Sequence, residues 1–359
     1  MIATLLIILI TIALVLLLRK TKKPIIKDRL AVLRWNLTGE TVAGITSQSG
    51  TNANELYLPY GLTFDYMNSL YVADCNNNRV QKYQMNALSG STVAGIGNGT
   101  GCLSSSCLLG PADVIVDSHN DIYVVETWSA RVQLWPSGSS TGVTVAGNRE
   151  LQSDVAFKFH AIFFIESSTN QSYFLSASYG IARDFNSNIL YVADTFNSRV
   201  MSYRSGSMLG TTAAGTGVAG SNTTELSIPY DVYYDSPTNS LFISNMGMNT
   251  VVRWVVGASN WELVAGTHGL GGSSSTQLFV PIGITLDPMG NLYVADAYNH
   301  RIQFFEAGQS NGLTIAGVNQ TSGFNADQLN TPLYVALDSQ LNLYVSDTSN
   351  HRVQKFQRY

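Results

Sequence analysis

LYVADAYNHRIQFF, residues 292–305, sets two short strand patterns on either side of a tight turn. LYVAD and RIQFF are built from β-branched and aromatic residues, which suit a pleated, half-buried surface, and the Asn between them is a turn former. The stretch recurs along the chain. Its first half returns as LYVAD at 70–74, IYVVE at 122–126, LYVAD at 190–194, LFISN at 241–245 and LYVSD at 343–347. Its second half returns as RVQKY at 79–83, RVQLW at 131–135, RVMSY at 199–203, TVVRW at 250–254 and RVQKF at 352–356.

Two further patterns flank each copy. An apolar segment closing on Asp precedes it: PYGLTFD at 59–65, PADVIVD at 111–117, SYGIARD at 178–184, PYDVYYD at 229–235, PIGITLD at 281–287 and TPLYVALD at 331–338. A VAG-like tripeptide ends at Gly44, Gly95, Gly147, Gly215, Gly266 and Gly317, at intervals of 51, 52, 68, 51 and 51 residues. Six copies of four short strands predict an all-β, six-bladed β-propeller. Both faces of a blade pack on neighbouring blades, so the strands should read as nearly continuous apolar runs. The last copy stops at Tyr359 without a VAG strand, while an extra VAG stands at 42–44. The N-terminal strand is therefore expected to complete the last blade and remove an exposed edge. VLRW at 32–35 looks like one more strand and has no place in this scheme.

The P-x-G-I-x-x-D, LYVAD and N-H-R-I/V-Q strings, the last clearest at Asn299 to Gln303 and Asn350 to Gln354, closely resemble NHL repeats over roughly residues 40–358. No Trp-Asp dipeptide, double-glycine kelch pattern or YWTD string supports a rival propeller family.

Composition narrows the function. Only 12% of residues are charged and the formal net charge is −4, which gives no basic face for nucleic acid. Three cysteines, Cys75, Cys102 and Cys107, cannot frame a disulfide-held fold and lack CxxC metal spacing. Cys102 and Cys107, in the loop CLSSSC, could close a local disulfide in an oxidising compartment or stand as ordinary thiols.

Met1 to Leu18 are apolar except for Thr4 and Thr11, and Arg19, Lys20, Lys22 and Lys23 follow. With no small-x-small site after the run, residues 1–23 read as an uncleaved transmembrane anchor with a basic flank, meeting the membrane through residues 2–18. Residues 24–39 are then a linker and 40–359 the propeller. The basic flank would leave the propeller in the cytosol by the positive-inside rule. Five N-x-S/T sequons, at Asn36, Asn98, Asn170, Asn222 and Asn319, are about as many as chance gives. Their loop positions, the low charge and the cysteine pair favour an extracellular or lumenal propeller; the alternative is a cytosolic scaffold tethered to a membrane.

Each second strand ends in an acid followed five residues later by Arg: Asp74 and Arg79, Glu126 and Arg131, Asp194 and Arg199, Asp296 and Arg301, Asp347 and Arg352. The fourth copy has Asn245 and Thr250, losing both members together, which marks them as structural ion pairs. Asp65, Asp117, Asp184, Asp235, Asp287 and Asp338 close the first strands, where a carboxylate caps a turn. His300 and His351 share one position in two copies and read as turn residues; no metal site is indicated.

The inner strands begin with side chains that should surround the channel mouth: Tyr60, Asp113, Tyr179, Tyr230, Asp231 and Tyr334. Such aromatic and polar convergence suits a small ligand or peptide. The third copy carries an insertion at about 151–172, including AIFFI at 161–165, expected to overhang the same face. Among proteins that NHL propellers resemble, the hydroxyglycine lyases would imply channel histidines, and no inner strand has one. Lactonase-like hydrolases would imply Glu, Asn and Asp at the axis, and only Asp113 and Asp231 are placed there. A metal-dependent lactonase or esterase remains the alternative to the main reading, a membrane-anchored module, without cofactor, that binds a protein, peptide or glycan on the face bearing the insertion.

Overall fold

The computed structural model describes residues 33–147 and 174–359. The expected anchor at 2–18, its basic flank, the first part of the linker, Asn170 and the insertion at 151–172 lie outside the described residues. Among the described residues no helix is long and apolar enough to cross a membrane.

Trp35 to Arg358 form a six-bladed propeller of four-stranded antiparallel sheets. The N-terminal strand β1 (Glu40–Gly44) belongs to the last blade. Blade 1 is β2 (Pro59–Phe64), β3 (Leu70–Asp74), β4 (Arg79–Tyr83) and β5 (Ser91–Gly95). Blade 2 is β6 (Pro111–Val116), β7 (Ile122–Glu126), β8 (Arg131–Trp135) and β9 (Val143–Ala146). Blade 3 is β10 (Ile181–Asp184), β11 (Ile189–Asp194), β12 (Arg199–Arg204) and β13 (Thr211–Ala214). Blade 4 is β14 (Pro229–Asp235), β15 (Ser240–Asn245), β16 (Thr250–Val255) and β17 (Trp261–Gly266). Blade 5 is β18 (Pro281–Leu286), β19 (Leu292–Asp296), β20 (Arg301–Phe305) and β21 (Leu313–Gly317). Blade 6 is β22 (Pro332–Leu337), β23 (Leu343–Asp347) and β24 (Arg352–Phe356), completed by β1.

The ring closes as the spare VAG strand implied: Glu40 pairs with Lys355 and Gly44 with Arg352, so β1 zips onto β24. Trp35 explains the unplaced VLRW. It bridges Arg358, donates its indole Nε1 to Leu341 O at 3.0 Å and packs against Tyr293 and Phe304.

Blades pack face to face, which is why their strands are apolar on both sides. Between blades 1 and 2, Tyr71, Ala73, Val80 and Ala94 meet Val114, Ile122, Val124 and Trp135. The hairpins between inner and second strands are capped by their Asp. Asp65 Oδ1 accepts the amides of Met67 and Ser69, and Asp117, Asp287 and Asp338 do the same in their blades. These hairpins lie on one face of the disc, here the hairpin face. The second-to-third turns and the loops between blades share the other, here the loop face.

Candidate functional site

On the loop face each Arg of the repeat is consumed by structure. The five acid–Arg pairs lie 2.7–2.8 Å apart and are buried. Arg79 shows the full set: Nε on Asp74, Nη1 on Thr51 O and Gly97 O, and Nη2 on Asn52 O and Glu55 O. The acid's second oxygen takes a loop amide, Tyr57 N at 2.7 Å. Burial pushes Asp74 up to about 6, opposed by the Tyr57 amide, Arg79 and Asn77; with these donors aimed at it, it is a carboxylate at neutral pH. The turn and the loop entering the blade are thus one cross-bonded unit.

Blade 4 makes the same unit from other parts. Asn245 keeps the amide-accepting role, with Ser227 N at 2.7 Å, but its Nδ2 and the Thr250 hydroxyl are buried without partners. The carbonyls an Arg would take are met from the outer strand and the loop after it instead: Trp261 Nε1 donates to Glu225 O at 2.8 Å, and His268 Nε2 bonds Ser221 O at 3.0 Å. Trp261 stands where blades 1, 2, 3 and 5 have Gly90, Gly142, Gly210 and Gly312, and in each of those a Cβ would meet the aromatic ring ending the third strand at 2.7–2.9 Å. In blade 4 that ring, Trp254, turns its Nε1 to Ala258 O.

The tyrosines expected at the channel mouth fill the loop-face end. Tyr179 and Tyr230 stack with centroids 4.2 Å apart, Tyr60 packs beside them, and the Tyr334 hydroxyl crosses the axis to donate to Tyr179 O at 3.2 Å. Burial pushes the Tyr179 phenol up to about 12 and raises Tyr60 and Tyr230 further, with the buried Cys75 thiol close by. They form a plug, and none presents an ionised group.

Below the plug the ring alternates small and large: Gly61, Asp113, Gly180, Asp231, Gly283 and Tyr334 in blades 1 to 6. The alternation is steric, because a Cβ on Gly61 would stand 2.6 Å from Asp113 Cα and one on Gly180 2.6 Å from Asp231 Cα. Each Asp staples two blades. Asp113 accepts Val114 N at 2.8 Å and Ile181 N at 3.0 Å; Asp231 accepts Val232 N and Ile284 N, both at 2.8 Å. Burial raises both carboxyls, Asp231 to about 7, and the charge of Asp231 adds to the rise at Asp113. Among the described residues no three His, Cys, Asp or Glu side chains gather as metal ligands.

The channel opens the other way. A cavity of about 460 Å³ runs from the Asp113, Asp231 and Tyr334 ring toward the hairpin face. Its walls include Leu62, Val114, Ile181, Val232, Ile284 and Val335. Its rim has polar and aromatic members that the reading of the strands had passed over, Arg183, Phe185, Asn186 and Tyr234. Arg183 is ion-paired to Asp117 at 2.8 Å and lies over the Tyr123 ring at 4.4 Å, and Phe185 is 55% exposed. The signal was available: Arg183 precedes the closing Asp where the sibling strands have Phe64, Val116, Tyr234, Leu286 and Leu337.

Asn98, Asn222 and Asn319 are exposed in loops of the loop face, and Asn36 is exposed before β1. Asn222 Nδ2 donates to Glu225 at 3.0 Å and Asn319 Nδ2 to Ser273 O at 3.1 Å. Cys102 and Cys107 are disulfide-bonded in the loop entering blade 2, with Cα atoms 5.3 Å apart.

The chain carries NHL repeats: the NHL repeat family model matches residues 56–83, 280–305 and 329–356, in blades 1, 5 and 6. It is similar to NHL repeat-containing protein 2 of Homo sapiens, 31% identical over 141 residues, and of Gallus gallus, 30% identical over 138 residues. Each match covers 33% of this chain and 19% of that protein, so the chain matches about a fifth of the length of these curated relatives. Among solved structures it resembles an auxiliary nutrient binding protein from Bacteroides ovatus, with TM-score 0.64 and 13% identity over 91% of this chain and 77% of that one. It also resembles a gluconolactonase from Xanthomonas campestris, with TM-score 0.56 and 11% identity over 86% and 89% of the two chains. At these identities the likeness is one of fold.

Proposed function

We propose that the propeller is a binding module, anchored to a membrane through residues 2–18, that takes a protein or peptide group into the cavity on its hairpin face. The observation that carries this is the asymmetry of the channel: a tyrosine plug at one end, and at the other an open cavity with Asp113 and Asp231 at its floor, apolar residues in its walls and aromatic and polar groups at its rim. Its volume of about 460 Å³ lies in the range of small-molecule and side-chain pockets. Apolar walls suit an apolar or aromatic group, and Arg183, Asp184 and Asn186 at the rim can meet the polar backbone around it. A hydrolase needs a reacting constellation, whereas Asp113 and Asp231 have their oxygens on backbone amides. Binding is therefore preferred over lactone or ester hydrolysis.

The test is a peptide and glycan array probed with the full chain and with Thr285→Trp, which places an indole in the cavity from a half-buried wall position. Peptide hits lost in the variant support the reading. Hits unchanged in the variant, or calcium-dependent cleavage of lactones with no hits, would sink it.

An extracellular or lumenal propeller is part of the same proposal, supported by the exposed sequons and the Cys102–Cys107 disulfide, which belongs in an oxidising compartment. A mobility shift on peptide N-glycosidase treatment of the chain from animal cells would bear this out. A membrane-bound chain without a shift would favour the cytosolic scaffold.

A further inference from the structure

The second-to-third turns end in left-handed residues: Asn78, Ala130, Ser198, Asn249, His300 and His351, with φ from 48° to 58°. Across each blade junction, a residue leading into the next inner strand is also left-handed: Gly110, Ala177, Ile228, Val280, Thr331 and Leu58, with φ from 43° to 61°. That conformation is costly for any residue but Gly, and most of all for β-branched Ile228, Val280 and Thr331. Four junctions hold it with a hydrogen bond from the strained amide to the turn residue. Asn78 Oδ1 accepts Gly110 N at 2.9 Å and Asn249 Oδ1 accepts Val280 N at 3.0 Å. At the other two the acceptor is an imidazole: His300 Nδ1 takes Thr331 N at 3.1 Å, and His351 Nδ1 takes Leu58 N at 3.3 Å.

These two latches stand where the ring is closed. His351 lies between β23 and β24, at the C-terminal end of the chain, and Leu58 follows β1 at its N-terminal end. The bond thus adds to the β1–β24 pairing, the non-covalent join of the circle. His300 ties blade 5 to blade 6 beside it. We propose that His300 and His351 make this closure acid-sensitive: neutral imidazoles hold blades 5, 6 and 1 together, and protonation releases both latches while the Asn latches at Gly110 and Val280 persist.

The chemistry is that of a single acceptor. Nδ1 can accept an amide only while unprotonated, and imidazolium offers donors alone, so a proton there sets two N–H groups against each other and strands a half-buried amide. Asn in the same place accepts at any pH between 4 and 9. Charged groups around the rings are few. His300 faces Asp347 of the next blade and has the Asp296–Arg301 pair on its own turn. His351 meets the edge of Tyr57, whose amide is held by Asp74, and has the Asp347–Arg352 pair on its own turn. Burial holds both imidazoles below their ordinary range, and at His300 the Asp347 carboxylate pulls partly back. A folded-state pKa below the unfolded value of about 6.5 means the folded ring binds fewer protons, so its contribution is complete well above that pH and is lost as pH falls below it.

Hydrogen exchange on the full chain at pH 7.5 and 5.0, corrected for intrinsic rates, tests this within one molecule. Segments containing Leu58 and Thr331 should lose about 2- to 10-fold in protection at pH 5.0, as one hydrogen bond implies, while those containing Gly110 and Val280 hold. The His300→Asn/His351→Asn variant should abolish that loss. Equal loss in all four segments, or a loss that persists in the Asn variant, would overturn the proposal; the wild-type comparison stands even if the variant fails to fold.

Discussion

Blade 4 and its five siblings solve one problem in two ways. In the siblings a buried acid–Arg pair gathers the carbonyls of the entering loop; in blade 4 Asn245 and Thr250 replace the pair, and Trp261 in the outer strand and His268 just after it reach the matching carbonyls. What repeats is the requirement that loop backbone be satisfied when it is buried, not the residues that satisfy it. The difference also bears on function. The buried polar groups of the loop-face turns are occupied with holding the blades, whichever chemistry is used; Phe196 and Tyr298 stand exposed on those turns, while the channel cavity opens on the hairpin face.

The comparison breaks most readily at an ion pair. Arg301→Met strands the Asp296 carboxylate and the carbonyls of Ser273, Ser274 and Gln277, and should cost about 3–5 kcal/mol in denaturant unfolding. Thr250→Val, at the matching place in blade 4, removes a hydroxyl with no partner and should be neutral or slightly stabilising. Trp261→Gly copies the siblings' glycine without their Arg, and by losing a buried indole and its bond should cost about 3–5 kcal/mol. Adding Asn245→Asp and Thr250→Arg to Trp261→Gly should bring stability back to within about 1 kcal/mol of wild type if the two solutions are interchangeable; a triple variant no better than Trp261→Gly would refute that. Among the destabilising changes the smallest effect is expected of His268→Ala, about 0.5–1 kcal/mol for one exposed hydrogen bond.

The propeller was legible because blade packing imposes the same apolar strands six times, and the joint loss at Asn245 and Thr250 disclosed the pairing of the acids with their arginines. Blade 4's substitutes were harder to see. Trp261 departs from its siblings' glycine in plain view, yet its purpose depends on where Glu225 O lies. The channel residues and the end at which they stand follow from strand position, but not that they close it. Tyr60, Tyr179, Tyr230 and Tyr334 have the chemistry of a lining or of a plug, and the choice depends on packing across the axis, as in the Tyr334 bond to Tyr179, 155 residues away. His300 and His351 are turn residues by backbone, as their shared position implied; their hold on the next blade is a long-range contact that no local pattern encodes.

Entry of ligand from the hairpin face, as we propose, is tested by one variant on each face of the disc. Full-length chain bearing Thr285→Trp in the cavity, and chain bearing Phe324→Ser at an exposed loop-face position, would be titrated with the strongest array peptide by calorimetry. Thr285→Trp is expected to abolish binding and Phe324→Ser to bind as wild type does. Binding that survives Thr285→Trp and is lost in Phe324→Ser would place the site on the loop face and contradict it.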